Sequence, residues 1–124
     1  MSKNNISNIS IFEKVNFKEL KELYLYENII SDIKILEKVK FDKLELLALG
    51  NNKREDINYL ESVNFKNLKR LYLQENNISD IKGFEKLKFD KLEILNIKNN
   101  KIEKNVFFPI EFIKQKNKNI NIFY

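Results

Sequence analysis

The sequence predicts an α/β solenoid of short parallel strands and short helical turns, because one motif recurs along it at a constant spacing. A unit of 24 residues carries the frame LxxLxLxxN four times in phase, starting at Leu20, Leu44, Leu68 and Leu92. Inside each unit a period-two pattern precedes apolar residues at three-residue steps, which indicates a strand followed by a short helix or 3-10 turn. Units of this kind bury their apolar side only against their neighbours.

The repeats fill nearly all of the 124 residues, so we expect a single domain, 1–124. We divide it into a partial first repeat, four full repeats and a final strand: 4–19, 20–43, 44–67, 68–91, 92–115 and 116–124. Between residues 17 and 53, 26 of 37 residues are identical to those 48 positions later. This second period indicates that a pair of repeats was duplicated.

The first part of each unit is predicted to be a strand. In the third unit Leu71 and Leu73 alternate with Arg70 and Tyr72, and successive side chains of a strand point to opposite faces. We therefore expect the leucines to point inward and the other two side chains to point outward. Each strand should pair in parallel with the equivalent strand one repeat away, at a spacing of about 4.8 Å.

An asparagine ends each strand segment at the point where the chain must turn away. Its amide can both donate and accept hydrogen bonds, and can therefore satisfy backbone groups that the turns would bury unpaired. We expect these residues to form a structural ladder along the solenoid: Asn28, Asn52, Asn76 and Asn100.

The second part of each unit is predicted to be a short helix or 3-10 turn. In the third unit Ser79 or Asp80 suits the cap, and Ile81, Phe84 and Leu87 follow on one apolar face. A phenylalanine closes each unit, which predicts a stack of rings along the back of the core. The members of this column are Phe17, Phe41, Phe65 and Phe89.

The pattern is incomplete at its start. Residues 4–19 match the back half of a repeat, and no strand segment precedes Asn4. The strand at Glu22–Tyr26 is therefore expected to be an edge strand, open to pairing with another chain.

Two further departures occur within the repeats. Pro109 suits the first turn of a helix over residues 109–116, and a fifth strand is expected near Asn119–Phe123. There Ile122 follows Ile97 by 25 residues, a slip of one from the repeat. Arg54 stands where other units have isoleucine, so we expect the second repeat to be looser there or the side chain to extend outward.

Composition argues against catalysis. The chain has no cysteine and no histidine, and its two glycines do not form a phosphate-binding loop. Asp32, Asp56 and Asp80 recur every 24 residues, but capping of the short helices explains them better than calcium binding does. We expect no enzyme, no metal and no cofactor.

The net charge of +5 raises the alternative of nucleic acid or another anionic surface as the partner. The basic stretch at 98–118 could supply such a site, although lysines alternating with glutamates elsewhere favour a solvated face. The sequence shows neither a signal peptide nor an apolar run long enough to span a membrane. Together with the absence of cysteine, this predicts a cytoplasmic protein.

With these motifs the chain resembles the leucine-rich repeat family over residues 4–124. Its short units with isoleucine after the asparagine, as in Asn28-Ile29-Ile30 and Asn76-Asn77-Ile78, are similar to those of intracellular phosphatase regulators and bacterial internalins. The resemblance implies a right-handed solenoid with a parallel sheet on the concave face and short helices or 3-10 turns on the convex face. It also implies that a partner protein binds across the concave face.

The outward strand positions are the candidate partner-binding residues. Tyrosine and arginine are favoured at interface hot spots, and Leu46 and Ile94 are expected to be exposed apolar residues beside the tyrosines. The candidates are Glu22, Tyr24, Tyr26, Leu46, Arg70, Tyr72, Gln74, Ile94, Asn96 and Lys98. Ala48 and Gly50 complete these columns, and Glu22, Arg70, Glu75 and Lys98 would orient the partner.

Two other interpretations stay open. Tyr24 and Tyr72 also suit a strand, and duplication alone accounts for their recurrence. The partner, an unidentified protein in the leading hypothesis, could also be a second copy of the chain bound through the Glu22–Tyr26 edge.

Overall fold

The computed structural model describes residues 1–30, 32–63, 65–87, 90–103 and 107–124. These residues form a five-stranded parallel sheet whose strands follow one another in chain order. The predicted α/β solenoid is confirmed. The strands are β1 (Glu22–Tyr24), β2 (Leu46–Ala48), β3 (Arg70–Tyr72), β4 (Ile94–Asn96) and β5 (Asn121–Phe123).

The central residue of each strand points into the core. Leu23, Leu47, Leu71 and Leu95 occupy the same register position, and all four are buried. Ile122 continues this column in β5 and packs against the core. The apolar column is continuous because each 24-residue unit returns the chain to the same position one strand further on.

Short 3-10 helices lie across the core from the sheet. In the described residues they are η1 (Ser10–Lys14), η2 (Lys34–Glu37), η3 (Asn58–Ser62) and η4 (Lys82–Lys86). A side-chain oxygen of Asp32, Asp56 or Asp80 accepts a hydrogen bond of 2.7–3.0 Å from the first N–H of the helix that follows. The recurring aspartates therefore fix the start of η2, η3 and η4, each of which begins two residues after its aspartate.

Phenylalanine rings stack behind the sheet. The ring centroids of Phe17 and Phe41 lie 5.8 Å apart, as do those of Phe41 and Phe65, and Phe12 meets Phe17 edge to face at 5.1 Å. The predicted aromatic column is confirmed for these three members, whereas Phe89 lies outside the described residues. Such pairs stabilise by about 0.5–1.5 kcal/mol beyond the area that they bury.

The asparagines bridge neighbouring turns. Asn52 Nδ2 donates to the carbonyl oxygens of Leu25 at 2.9 Å and of Leu49 and Gly50 at 3.1 Å, which joins two consecutive repeats. Asn76 Oδ1 accepts from the backbone N–H groups of Asn52 and Arg54, both at 3.0 Å. In every asparagine of the ladder, Nδ2 donates to the backbone carbonyl oxygens of the residues two and three positions earlier. The four asparagines are Asn28, Asn52, Asn76 and Asn100.

Arg54 is held within the fold. It is half-buried; its guanidinium donates to the carbonyl oxygen of Ile30 at 3.2 Å and lies 5.7 Å from the centroid of the Tyr59 ring. The expected extension into solvent is therefore wrong, because a carbonyl of the preceding repeat and an aromatic face are within its reach.

The last repeat is longer than the others. Helix α1 (Phe107–Lys116) replaces a 3-10 helix, with Pro109 in its first turn, so the predicted helix and the fifth strand are confirmed. The predicted register is wrong. Ile122 pairs with Leu95 and not with Ile97, so that Asn121 follows its partner Ile94 by 27 residues, whereas Arg70 follows Leu46 by 24. A ten-residue α-helix needs more chain than a five-residue 3-10 helix, and this shifts the strand.

Candidate functional site

The outward side chains of the sheet form a single surface, which we call the concave face. Parallel pairing aligns them in three rows across the strands. The first row is Glu22, Leu46, Arg70, Ile94 and Asn121; the second is Tyr24, Ala48, Tyr72, Asn96 and Phe123. The third row lies just beyond the strand ends and contains Tyr26, Gly50, Gln74 and Lys98. The backbone carbonyl oxygens of these residues accept hydrogen bonds that continue the pairing past the strands. The structure thus brings all ten candidate residues to one face.

A polar chain crosses this face from β1 to β3. Arg70 Nη2 donates to Glu22 Oε1 at 3.1 Å, although the two residues are 48 positions apart. Tyr24 Oη donates to the other carboxylate oxygen of Glu22 at 2.8 Å. This hydrogen bond is the main cause of a raised Tyr24 pKa, since it favours the protonated phenol. Glu22 is therefore fixed from two sides, and it fixes Tyr24 in turn.

The predicted exposure of Leu46 is wrong. It was expected to be an exposed apolar contact, but only 3% of its surface is accessible. The reason is its position in the first row between Glu22 and Arg70, whose side chains meet across β2. Ile94, the other expected apolar contact, is half-buried. The accessible apolar surface of this face therefore comes mainly from aromatic rings.

Two small residues, Ala48 and Gly50, stand in the second and third rows of the concave face. Ala48 lies between Tyr24 and Tyr72 in the second row and is 5% exposed. At Gly50 an added Cβ would stand 2.9 Å from Cδ of Gln74, so the absence of a side chain lets Gln74 lie over this backbone. Ala48 therefore leaves a depression flanked by the tyrosines, whereas Gln74 fills the space at Gly50.

Sequence reasoning missed Phe123 as a site residue. Phe123 pairs with Asn96 at the end of the second row, is 43% exposed, and has Nζ of Lys98 at 5.6 Å from its ring centroid. The period-two run from Asn119 to Phe123 carried a usable signal, since it puts Ile122 inward and Phe123 outward. The wrong register concealed which row this ring would join.

The basic stretch does not form one patch. Lys98 lies beside Phe123 at the concave face, whereas Lys114 is paired with Glu111 at 3.5 Å on α1. Lys116 Nζ lies over the Phe112 ring at 4.5 Å and donates to the carbonyl oxygen of Glu85 at 3.1 Å. Lys101 and Lys118 are exposed, and Lys104 lies outside the described residues. The described lysines of this stretch are therefore divided between different parts of the surface.

Among the described residues, no group of three or more acidic side chains is arranged to hold a metal ion. No helix in the described ranges has the length and apolar character that crossing a bilayer requires.

Comparisons with known proteins agree on the architecture. The family model described as Leucine Rich repeats (2 copies) matches residues 66–108. A comparison with curated protein sequences finds no match. Among solved structures, an internalin (inlF) from Listeria monocytogenes has a TM-score of 0.74 and 28% identity over 97% of this chain.

Two further structures show the same likeness. An internalin (inlC2) from the same organism has a TM-score of 0.69 and 26% identity over 97% of this chain. A leucine-rich repeat protein from Leptospira interrogans has a TM-score of 0.63 and 28% identity over 86%.

The chain spans only part of each relative: 32% and 46% of the two internalins and 26% of the Leptospira protein. Leucine-rich repeat proteins generally bind other proteins and are generally not enzymes. The 24-residue repeat, the parallel sheet with its asparagine ladder and the related structures together show that this chain has a leucine-rich repeat fold, and its residues 66–108 match the leucine-rich repeat family.

Proposed function

We propose that this protein is a non-enzymatic interaction module that binds a partner protein across its concave face. The observation that supports this most is the fixed position of Tyr24. Its ring is 41% exposed, and its hydroxyl donates to a carboxylate that Arg70 holds from the other side. A large side chain that is already ordered loses little conformational entropy on binding, and such residues make strong interface anchors.

Aromatic side chains recur at regular intervals along the second row. Tyr24, Tyr72 and Phe123 stand on β1, β3 and β5, at every second strand, with Ala48 and Asn96 between them. Strands lie about 4.8 Å apart, so the aromatic positions are about 10 Å apart. Side chains of a partner would fit over the smaller residues between the rings, and burial of the rings would supply most of the binding energy.

Charged groups frame the aromatic row. Glu22 and Arg70 lie on one side of it, and Lys98 and Glu75 lie toward the other. Exposed charges of this kind add little affinity but raise association rates and exclude wrong orientations. The partner is accordingly expected to present an apolar ridge bordered by both positive and negative groups.

A capture experiment tests the proposal. The tagged chain and its Tyr24→Ala/Tyr72→Ala variant are each incubated with lysate of the source cell, and the retained proteins are identified by mass spectrometry. Lys34→Ala/Lys82→Ala is the matched control, because both lysines are exposed on η2 and η4, away from the sheet. We expect wild type and control to retain the same protein and the tyrosine variant to bind it at least about tenfold more weakly.

Two results would contradict the proposal. Equal retention by all three proteins, with circular dichroism showing each to be folded, would exclude the tyrosines as anchors. Retention of nucleic acid alone, lost steeply as salt rises, would instead favour the lysines of 98–118.

A further inference from the structure

We propose that the partner presents a proline-rich segment in the polyproline II conformation, which lies across the strands along the second row of the concave face. This partner class rests on the proposed function, because the segment would occupy the same face. Three properties of the face support it: the spacing of the aromatic residues, the hydrogen-bond donors that remain available, and the balance of the charges around the row.

The aromatic side chains of the second row stand on every second strand. Tyr24, Tyr72 and Phe123 lie on β1, β3 and β5, and the smaller Ala48 and Asn96 separate them. Since neighbouring strands are about 4.8 Å apart, consecutive aromatic positions are about 9.6 Å apart. A partner chain that runs along this row should therefore repeat its contacts at the same interval.

Among regular backbone conformations, polyproline II matches this interval most closely. It has three residues per turn and a rise of about 3.1 Å, so every third side chain recurs at about 9.3 Å. An α-helix returns a side chain to the same face after two turns, at about 10.5 Å, and alternate side chains of a strand recur at about 6.7 Å. The mismatch with the aromatic row is thus about 0.3 Å for polyproline II, about 0.9 Å for a helix and about 3 Å for a strand.

The carboxylate and amide oxygens of the first two rows on β1 to β4 already accept hydrogen bonds. Oε1 of Glu22 accepts from Arg70 at 3.1 Å, and Oε2 accepts from the hydroxyl of Tyr24 at 2.8 Å. Oδ1 of Asn96 accepts from the backbone N–H of Lys98 at 3.2 Å. A partner segment with many N–H donors would therefore find its best acceptors occupied.

Donors remain available in the same row. The hydroxyl of Tyr72 and Nδ2 of Asn96 lie on neighbouring strands, and neither donates to another of the described residues. Polyproline II has no internal hydrogen bonds, so its carbonyl oxygens need donors from outside. A proline has no N–H that would need an acceptor. A proline-rich segment therefore offers what this row lacks and needs what it provides.

The charges around the aromatic row balance each other. Glu22 forms an ion pair with Arg70 on one side, and Glu75 and Lys98 toward the other side carry opposite charges. A docking segment with a net charge would meet a like charge on each side, whereas proline side chains meet none. Charge complementarity therefore favours an uncharged ridge, and residues that flank the segment can carry either sign.

Both surfaces would also be ordered before they meet. Tyr24 is held in place through Glu22 by Arg70, and proline fixes φ at about −65° in the free segment. Little conformational entropy is then lost on binding. Proline-rich segments dock in aromatic-lined grooves of unrelated folds for the same reason.

A decaproline peptide with blocked ends is a direct probe of this site. It is titrated into the full chain labelled with ¹⁵N, and the amide chemical shifts are followed by nuclear magnetic resonance. We expect the largest shifts around Tyr72 and Asn96 and none at Lys34 and Lys82, which lie on η2 and η4. A Gly-Ser peptide of equal length is flexible and should bind at least about tenfold more weakly.

Three variants test how the row recognises the peptide. Ala48→Tyr puts a third ring between Tyr24 and Tyr72; it enlarges the aromatic surface but removes the gap, so decaproline should bind at least about tenfold more weakly. Tyr72→Phe keeps the ring and removes the hydroxyl donor, and should weaken binding roughly two- to tenfold. Lys82→Ala is the control and should leave the affinity unchanged. Circular dichroism establishes that each variant is folded.

The outcomes separate this partner class from the proposed function itself. Displacement of the captured protein by decaproline, together with the losses expected for Ala48→Tyr and Tyr72→Phe, would support the proline-rich segment. Capture of a protein through Tyr24 and Tyr72 without any binding of decaproline would overturn the segment and leave the proposed function standing. Stronger binding of decaproline by Ala48→Tyr, or equal binding of the Gly-Ser peptide, would overturn it as well. Absence of both capture and peptide binding would overturn both.

Discussion

Glu22 and Arg70 form an ion pair of 3.1 Å across β2, which joins two strands that are not neighbours in the sheet. The pair explains two features of the concave face. It orders Tyr24, whose hydroxyl donates to the same carboxylate, and it lies over the row position of Leu46, which is consequently buried. Its main role is therefore to shape the surface.

Arg70→Ala is expected to affect binding more than folding. Both charged groups are partly exposed, so the loss of the ion pair should lower the free energy of unfolding by less than about 1 kcal/mol. Release of Glu22 and Tyr24 should weaken partner binding more strongly, because the anchor is then no longer ordered. Urea unfolding and a binding titration separate these effects, with Lys43→Ala, which removes the surface pair with Glu19, as the control.

Asn52→Ala should destabilise the fold by roughly 1–3 kcal/mol. The substitution leaves the buried carbonyl oxygens of Leu25 and Leu49 without the amide that now donates to them. Asn58→Ala, an exposed asparagine on η3, is a suitable control and should change the unfolding free energy by less than about 0.5 kcal/mol. Equal midpoints in urea for the two variants would show that the ladder does not stabilise the turns.

Phe65→Ala should lower the free energy of unfolding by about 3–5 kcal/mol, because this buried ring packs against Phe41 and its removal leaves a cavity that the repeats cannot close. A loss of this size is a large part of the stability of a small domain. Phe123→Ala removes the same number of atoms from a partly exposed position and should cost much less. Thermal unfolding of the two variants side by side compares a core ring with a surface ring.

Tyr59→Phe should stabilise the protein by about 1 kcal/mol, because the buried hydroxyl of Tyr59 has no hydrogen-bond partner among the described residues. The ring would still lie beside the Arg54 guanidinium. A wild type as stable as the variant would indicate that the hydroxyl is satisfied in solution.

The raised pKa of Tyr59 predicts that the protein loses stability at alkaline pH. Burial raises the pKa of Tyr59 far above its unfolded value near 10.0, so the folded state keeps its proton while the unfolded chain releases one. The contribution of the protonated Tyr59 to the free energy of unfolding is thus fully present below about pH 10 and is lost as the pH rises above that value. Urea midpoints measured across this range should fall more steeply for wild type than for Tyr59→Phe.

Periodicity was sufficient to predict most of the fold. The spacing of Leu23, Leu47 and Leu71 determines which residues face the core, and parallel pairing then determines which of the others share a row. The burial of Leu46 could not be predicted in this way. It depends on whether two side chains 48 positions apart reach each other across a strand, and that depends on rotamers and not on spacing.

The row to which Phe123 belongs could not be predicted from the sequence, for a different reason. The repeat length changes where α1 replaces a 3-10 helix, and a count of 24 or 25 residues then assigns the wrong partner to Ile122. The alternation of Ile122 and Phe123 was visible in the sequence, but only the length of the helix determined their register. The end of a repeat array is thus where sequence periodicity is least informative.

Site-specific photo-crosslinking tests the central claim most directly. A photoreactive residue is placed at position 72, in the middle of the concave face, and in a second protein at position 82, on the opposite side of the solenoid. We expect one partner protein to crosslink from position 72 and not from position 82. The same yield from both positions, or a crosslink from position 82 alone, would contradict binding through the concave face.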